Sequence, residues 1–156
     1  MYEYKIVRVC TFSARSKPDA LPEIIGPLAE GIRVNFYTTE GGELSGPRVR
    51  GKVRPVGGDW MTIRKDGVGV VDARVTLETH DGALILVIYP GLIDFGEDGY
   101  EMILRGELPA QVRLRTAPRF LTSHPEYTWL NRLQCFGVGE YRSATREVVY
   151  DVYGIR

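Results

Sequence analysis

The chain has 156 residues, 44% hydrophobic and 26% charged, which suits one globular domain around one core. Twenty basic residues balance twenty acidic ones, so no net field draws the chain to nucleic acid or to an anionic membrane. The first residues, MYEYKIVRVC, carry charges throughout, and no window reaches transmembrane length. A soluble, cytoplasmic protein without a signal peptide is expected.

Eighteen glycines and nine prolines interrupt short alternating segments, the pattern of an all-β domain. Strands are expected near 3–13, 31–38, 46–55, 58–64, 69–79, 83–89, 111–116, 127–138 and 145–153. Short helices are expected at Asp19–Ile25 and Asp98–Leu104. So many strands with so little helix predict a mainly antiparallel, closed or nearly closed β-barrel spanning residues 1–156. The segment GPRVRGKVRP (46–55) alternates Arg48, Arg50, Lys52 and Arg54 with small and apolar residues. With no interleaved aromatics, it reads as the solvated face of a strand rather than a phosphate-binding stripe. Cys10 and Cys135 lie in apolar runs far apart in the chain, so free buried thiols are expected.

Two turns, Lys65-Asp66-Gly67 and His80-Asp81-Gly82, share one pattern. A two-residue Asp-Gly loop at the first would set Met61 opposite Asp72, mixing charge into an apolar face. A three-residue loop with a left-handed Gly instead pairs Asp59 with Ala73, Trp60 with Asp72 and Thr62 with Val70. A slip of one residue exchanges the two faces completely, so hydrophobicity can choose the register. The three-residue loop gathers Met61, Ile63, Val71, Ala73, Val75 and Leu77 on one face, and the second turn adds Ile85, Val87 and Tyr89. The other face carries Trp60, Asp72 and Arg74 beside Leu84, Leu86 and Ile88. One row of the apolar face then reads Asp59–Ala73–Tyr89, with the carboxyl and phenol strands roughly 9–10 Å apart. ALILVIY (83–89) is apolar on both faces, so its outer side calls for a cover, and a homo-oligomer contact is the expected one.

Together GGDWMTIRKDGVGVVDARVTLETHDGALI, APRFLTSHPEYTWLNRL and the chain end VYDVYGIR resemble a family of small bacterial and fungal proteins, the DUF-three-two-three-seven family. The likeness covers nearly the whole chain. It implies a barrel of calycin or allene-oxide-cyclase shape and supplies no activity. The family usually has Pro before its first Asp-Gly, where this chain has Lys65; a type I turn accepts either. Its signature positions correspond to Asp59, Trp60, Asp72, Arg74, Arg115, Arg119, Tyr127, Trp129 and Asn131.

Asp59 and Tyr89 are the candidate catalytic pair, because an apolar wall raises a carboxyl pKa toward the range useful for proton transfer. The alternative is a turn-capping Asp59 and a rim Tyr89. Trp60, Asp72 and Arg74 offer an aromatic wall, a carboxylate and a cation to an oxygenated ligand, or else form a cross-strand ion-pair ladder. Tyr127, Trp129 and Asn131 alternate along one face of an expected strand, as pocket wall or as core. Arg115 and Arg119 are candidates for binding a ligand carboxylate, Arg115 also for polarising a ligand oxygen, or else they decorate the TAPRF turn. His80 and His124 both sit in turns without partners at ligand spacing, so no metal is expected. No nucleophile elbow, phosphate loop or dinucleotide fingerprint is present, which argues against hydrolase, kinase and dehydrogenase chemistry.

The leading expectation is a cofactor-independent enzyme of isomerase, lyase or cyclase type, acting on a hydrophobic oxygenated small molecule inside the barrel. A non-catalytic barrel that carries such ligands is the alternative. A purely structural module would instead have its interior filled by side chains.

Overall fold

The computed structural model describes residues 1–156. Its strands are β1 (Ile6–Arg15), β2 (Glu23–Ile25), β3 (Ile32–Tyr37), β4 (Gly42–Ser45), β5 (Arg50–Ile63), β6 (Val68–Thr79) and β7 (Leu84–Asp94). Then come the short helix α1 (Gly99–Leu104), β8 (Gln111–Thr116), β9 (Arg119–Leu121), a 3-10 helix (Pro125–Arg132), β10 (Gln134–Arg142) and β11 (Glu147–Ile155).

The register of the central meander follows from its turns. Arg64 N donates to Val68 O at 2.9 Å around a three-residue loop, and Gly67 sits at φ 80°. A Cβ at Gly67 would fall 1.8 Å from the Gly96 carbonyl oxygen, so only glycine fits that turn. The second turn repeats the geometry, with Thr79 N donating to Ala83 O at 2.9 Å and Gly82 at φ 86°. Asp59 therefore faces Ala73, Thr62 faces Val70, and Ala73 faces Tyr89, as the hydrophobic pattern requires. Met61, Ile63, Val71, Ala73, Val75, Leu77, Ile85, Val87 and Tyr89 are all buried on one face. Each large aliphatic among them contributes roughly 1.5–3 kcal/mol by leaving water.

The strands close into an eight-stranded antiparallel barrel in the order β5–β4–β1–β11–β10–β8–β7–β6 and back to β5. β5 is long enough to serve two neighbours on one edge: Arg50–Val53 pair with β4, and Gly58–Ile63 pair with β3. An irregularity between Val53 and Gly57 bends it between the two. β3 pairs with β5 and β2 but not with β1, so at that level only β4 joins the wall to β1. β7 likewise pairs first with β9 and then with β8, the two pieces being separated by Ala117-Pro118.

Three expectations change. The strands expected at 46–55 and 58–64 are one strand, β5, bent between Val53 and Gly57. Residues 127–138 do not form one strand. Pro125 opens the 3-10 helix, and its buried residues Tyr127 and Leu130 recur at the three-residue period of such a helix. Asp19–Ile25 forms no helix, and its last three residues add β2 to the edge of β3. The basic stripe is indeed an outer strand face: Lys52 and Arg54 pair with Glu78, and Arg48 lies 4.1 Å over the Trp129 ring. Cys10 and Cys135 are free and buried, and no helix is long and apolar enough to cross a membrane.

Candidate functional site

One half of the barrel interior is filled by buried side chains. Leu77, Ile85, Val152, Cys10, Cys135 and the 3-10 helix residue Leu130 fill the end where β7 begins and β11 finishes. The other half holds a cavity of about 70 Å³, walled mainly by apolar side chains including Met61, Ile93, Phe95, Leu108, Val112 and Leu114. That space admits several water molecules, so the interior is not filled as a purely structural module would be. Arg15, Ser16, Tyr37 and Arg146 line it and are at least partly exposed, which marks its mouth. The mouth lies where β3 separates from β1, and the two strand ends are tied there by the Ser16 hydroxyl donating to Tyr37 O.

Asp59 is the one carboxyl among the lining residues. Its strand register turns it inward beside Met61, and Phe36 lies opposite it on β3. The Asp72 backbone N–H donates to Asp59 Oδ1 at 2.9 Å, which fixes the carboxyl plane and leaves Oδ2 without a protein partner. Burial pushes the carboxyl up to about 7, and the nearby Asp72 charge adds to the rise. The Asp72 N–H bond and Arg33 pull against it. The carboxyl thus takes up and releases its proton near neutrality, the requirement for a general acid or base.

Tyr89 and Tyr150 also line the cavity, and neither phenol has a hydrogen-bond partner in the protein. Burial holds both well above the ordinary phenol range, so each keeps its proton and can donate it to a ligand oxygen. Phe12 wedges against both rings, at centroid distances of 5.8 Å to Tyr89 and 5.2 Å to Tyr150, while the two tyrosine rings stand 5.4 Å apart edge to face. The three rings thus pack against one another as one aromatic cluster. Tyr150 was not among the residues expected from sequence. The signal for it lies in the alternation Val148, Tyr150, Val152, three inward positions of β11, but the pairing of β11 with β1 and β10 is needed to see which interior level they reach.

The remaining expected residues lie elsewhere. Trp60, Asp72 and Arg74 share the outer face, where Arg74 pairs with Asp72 at 3.1 Å and lies 5.9 Å from the Trp60 ring. They form the ion-pair ladder, and the Trp60 ring meets Tyr37 edge to face at 6.3 Å. Arg115 points outward because Val112 and Leu114 take the inward positions of β8. Tyr127, Trp129 and Asn131 belong to the 3-10 helix and do not line the cavity. The Tyr127 hydroxyl donates to Asp81 Oδ1 at 2.9 Å, and Asn131 bonds both backbone groups of Thr122, at 2.9 and 2.8 Å. They anchor the helix to the second turn and to β9. No three His, Cys, Asp or Glu side chains converge as a metal-binding group.

An antiparallel barrel whose apolar cavity holds one carboxyl and the unpartnered phenols of Tyr89, Tyr141 and Tyr150 defines the class: a cavity-bearing β-barrel. Within that class the chain belongs to the family described as protein of unknown function (DUF3237), whose model matches residues 5–155. The UPF0311 protein RPA1785 of Rhodopseudomonas palustris is 35% identical over 133 residues, covering 83% of this chain and 84% of the relative. Its crystal structure superposes with a TM-score of 0.84 at 29% identity and full coverage of both chains. A β-barrel-like protein of Acinetobacter baumannii gives a TM-score of 0.80 at 25% identity, over 100% of this chain and 98% of that one. An enzyme from Penicillium herquei shares the fold at a TM-score of 0.64 and 20% identity, over 100% and 97% of the two chains.

Proposed function

We propose that the protein is an acid–base enzyme of isomerase, lyase or cyclase type, acting on a small hydrophobic molecule that carries a carbonyl or hydroxyl oxygen. The observation that carries this reading is the free Asp59 Oδ2 in one apolar cavity with the unpartnered hydroxyls of Tyr89 and Tyr150. Asp59 abstracts a proton from carbon next to the substrate's oxygenated centre and returns it at a neighbouring position. Tyr89 and Tyr150 donate hydrogen bonds to the oxygen as negative charge gathers on it. The apolar walls exclude bulk water from the exchange. Isomerisation is complete with that return. In elimination Asp59 takes the carbon-bound proton while a phenol protonates the departing oxygen, which leaves as water or an alcohol, and hydration is the reverse. The Penicillium herquei neighbour, an enzyme, is consistent with catalysis in a barrel of this shape.

The alternative, a carrier of the same ligands, draws on the apolar character of the cavity walls. The two separate on proton transfer to a probe. With 4-phenyl-2-butanone in deuterated buffer, the wild-type chain should speed incorporation of deuterium next to the carbonyl, followed by proton NMR. Asp59→Asn should lower the rate by roughly 10²–10⁴-fold. Binding of the ketone with no acceleration would mark a carrier, and an unchanged rate in Asp59→Asn would remove Asp59 as the base.

A further inference from the structure

The cavity mouth carries two guanidinium groups, and they are not equivalent. Arg15 pairs with Glu147 at 2.9 Å and with Glu40 at 3.9 Å, so its charge is already met. Arg146 forms no ion pair with any carboxylate. Its Nη1 donates to the Pro18 and Lys17 carbonyl oxygens, the latter at 3.2 Å. Nε and Nη2 have no acceptor in the protein. Arg146 is half-buried beside Tyr141, with which it lines the cavity.

The backbone at this position points the same way. Arg146 closes the β10–β11 turn at φ 51°, the one non-glycine residue of the chain with a positive φ. Gly or Asn fits such a position with less strain. The turn instead holds a long cationic side chain at the cavity mouth. A left-handed bulky residue beside a cavity is the kind of strain that collects at ligand clamps.

We infer that Arg146 is a specificity residue that receives an anionic group, a carboxylate, at the mouth of the cavity while the apolar body of the ligand lies inside. The ligand class is therefore an amphipathic acid: an aromatic or branched hydrocarbon body with its oxygenated carbon toward Asp59 and a carboxylate at the outer end. The two carbonyl bonds at Nη1 hold the guanidinium plane, and Nε with Nη2 presents the paired donors that match two carboxylate oxygens. This assignment rests on the cavity being the ligand site.

The test uses two probes of one shape, 3-phenylpropanoate and uncharged 3-phenylpropanamide, titrated calorimetrically into the full chain at a pH of about 6. Backbone amide NMR shifts of Ala14 and Tyr150 report whether the probe enters the cavity. The wild-type chain should bind the acid at least about tenfold more tightly than the amide. Arg146→Gln should bring the two within about twofold, and Arg146→Lys, which keeps the charge, should retain a preference for the acid. Equal affinities in the wild type, a measurement that needs no folded variant, would overturn the role of Arg146 while leaving the cavity intact as a site. A preference that survives Arg146→Gln would overturn it equally. Failure of both probes to shift the cavity amides would overturn it together with the cavity reading beneath it.

Discussion

In the folded chain the Asp59 carboxyl holds its proton up to about pH 7, against 3.8 for an ordinary Asp. The unfolded chain releases that proton near the ordinary value. Between those two limits the folded state binds the extra proton, so the Asp59 contribution to stability is fully present below about pH 4. It falls as pH rises and is lost above about 7. The difference between 3.8 and about 7 corresponds to about 4 kcal/mol at about 1.36 kcal/mol per pH unit. Asp59 is partly accessible from the cavity, so solvent screening brings this to about 2–4 kcal/mol. Asp59→Asn keeps the side-chain shape and the acceptor for the Asp72 N–H but removes the buried charge. At pH 8 it should stabilise the protein by that amount, or roughly 5–15 °C in Tm for a chain of this size. At pH 4 the two chains should melt together. Urea and thermal unfolding of both across this range gives the difference, and the other titrating groups cancel in it. A variant no more stable than wild type at pH 8, or an advantage independent of pH, would refute the reasoning. A gain in stability alongside a loss of proton transfer is the trade-off expected where a site is strained for its chemistry.

Asn131→Ala should cost about 1–3 kcal/mol in urea unfolding, because Thr122 loses both partners of its backbone, and should leave deuterium incorporation unchanged if Asn131 only anchors the helix. Leu84, Leu86, Leu92 and Leu121 leave 51, 40, 55 and 39% of their surface exposed along the outer face of β7 and β9. Sedimentation should therefore give a multiple of the 17.5 kDa chain, reduced to the monomer by Leu86→Lys; a wild-type monomer would leave this face without a subunit contact.

The part of the site built by neighbouring strands was legible in the sequence, since Gly67 and Gly82 fix the turns and the turns fix which face each residue takes. That reasoning places Asp59 and Tyr89 inside and separates them from Trp60, Asp72 and Arg74. It does not reach Tyr150 or Arg146, because they enter the site through the pairing of β11 with β1, strands separated by nearly the whole chain. Tyr127, Trp129 and Asn131 misled because alternate spacing imitates a strand. Pro125 and the three-residue spacing of Tyr127 and Leu130 carried the competing signal of a tight helix. The division of β5 between two partners was also hidden, since it depends on the bend before Gly57 and not on the apolar pattern.

Direct titration of Asp59 most closely tests whether the one carboxyl of the cavity exchanges its proton near neutrality. The side-chain carboxyl ¹³C resonance of Asp59, assigned by comparison with Asp59→Asn and followed from pH 3 to 10, should move with a midpoint near 7. A midpoint near 4, that of a solvated aspartate, would contradict the account.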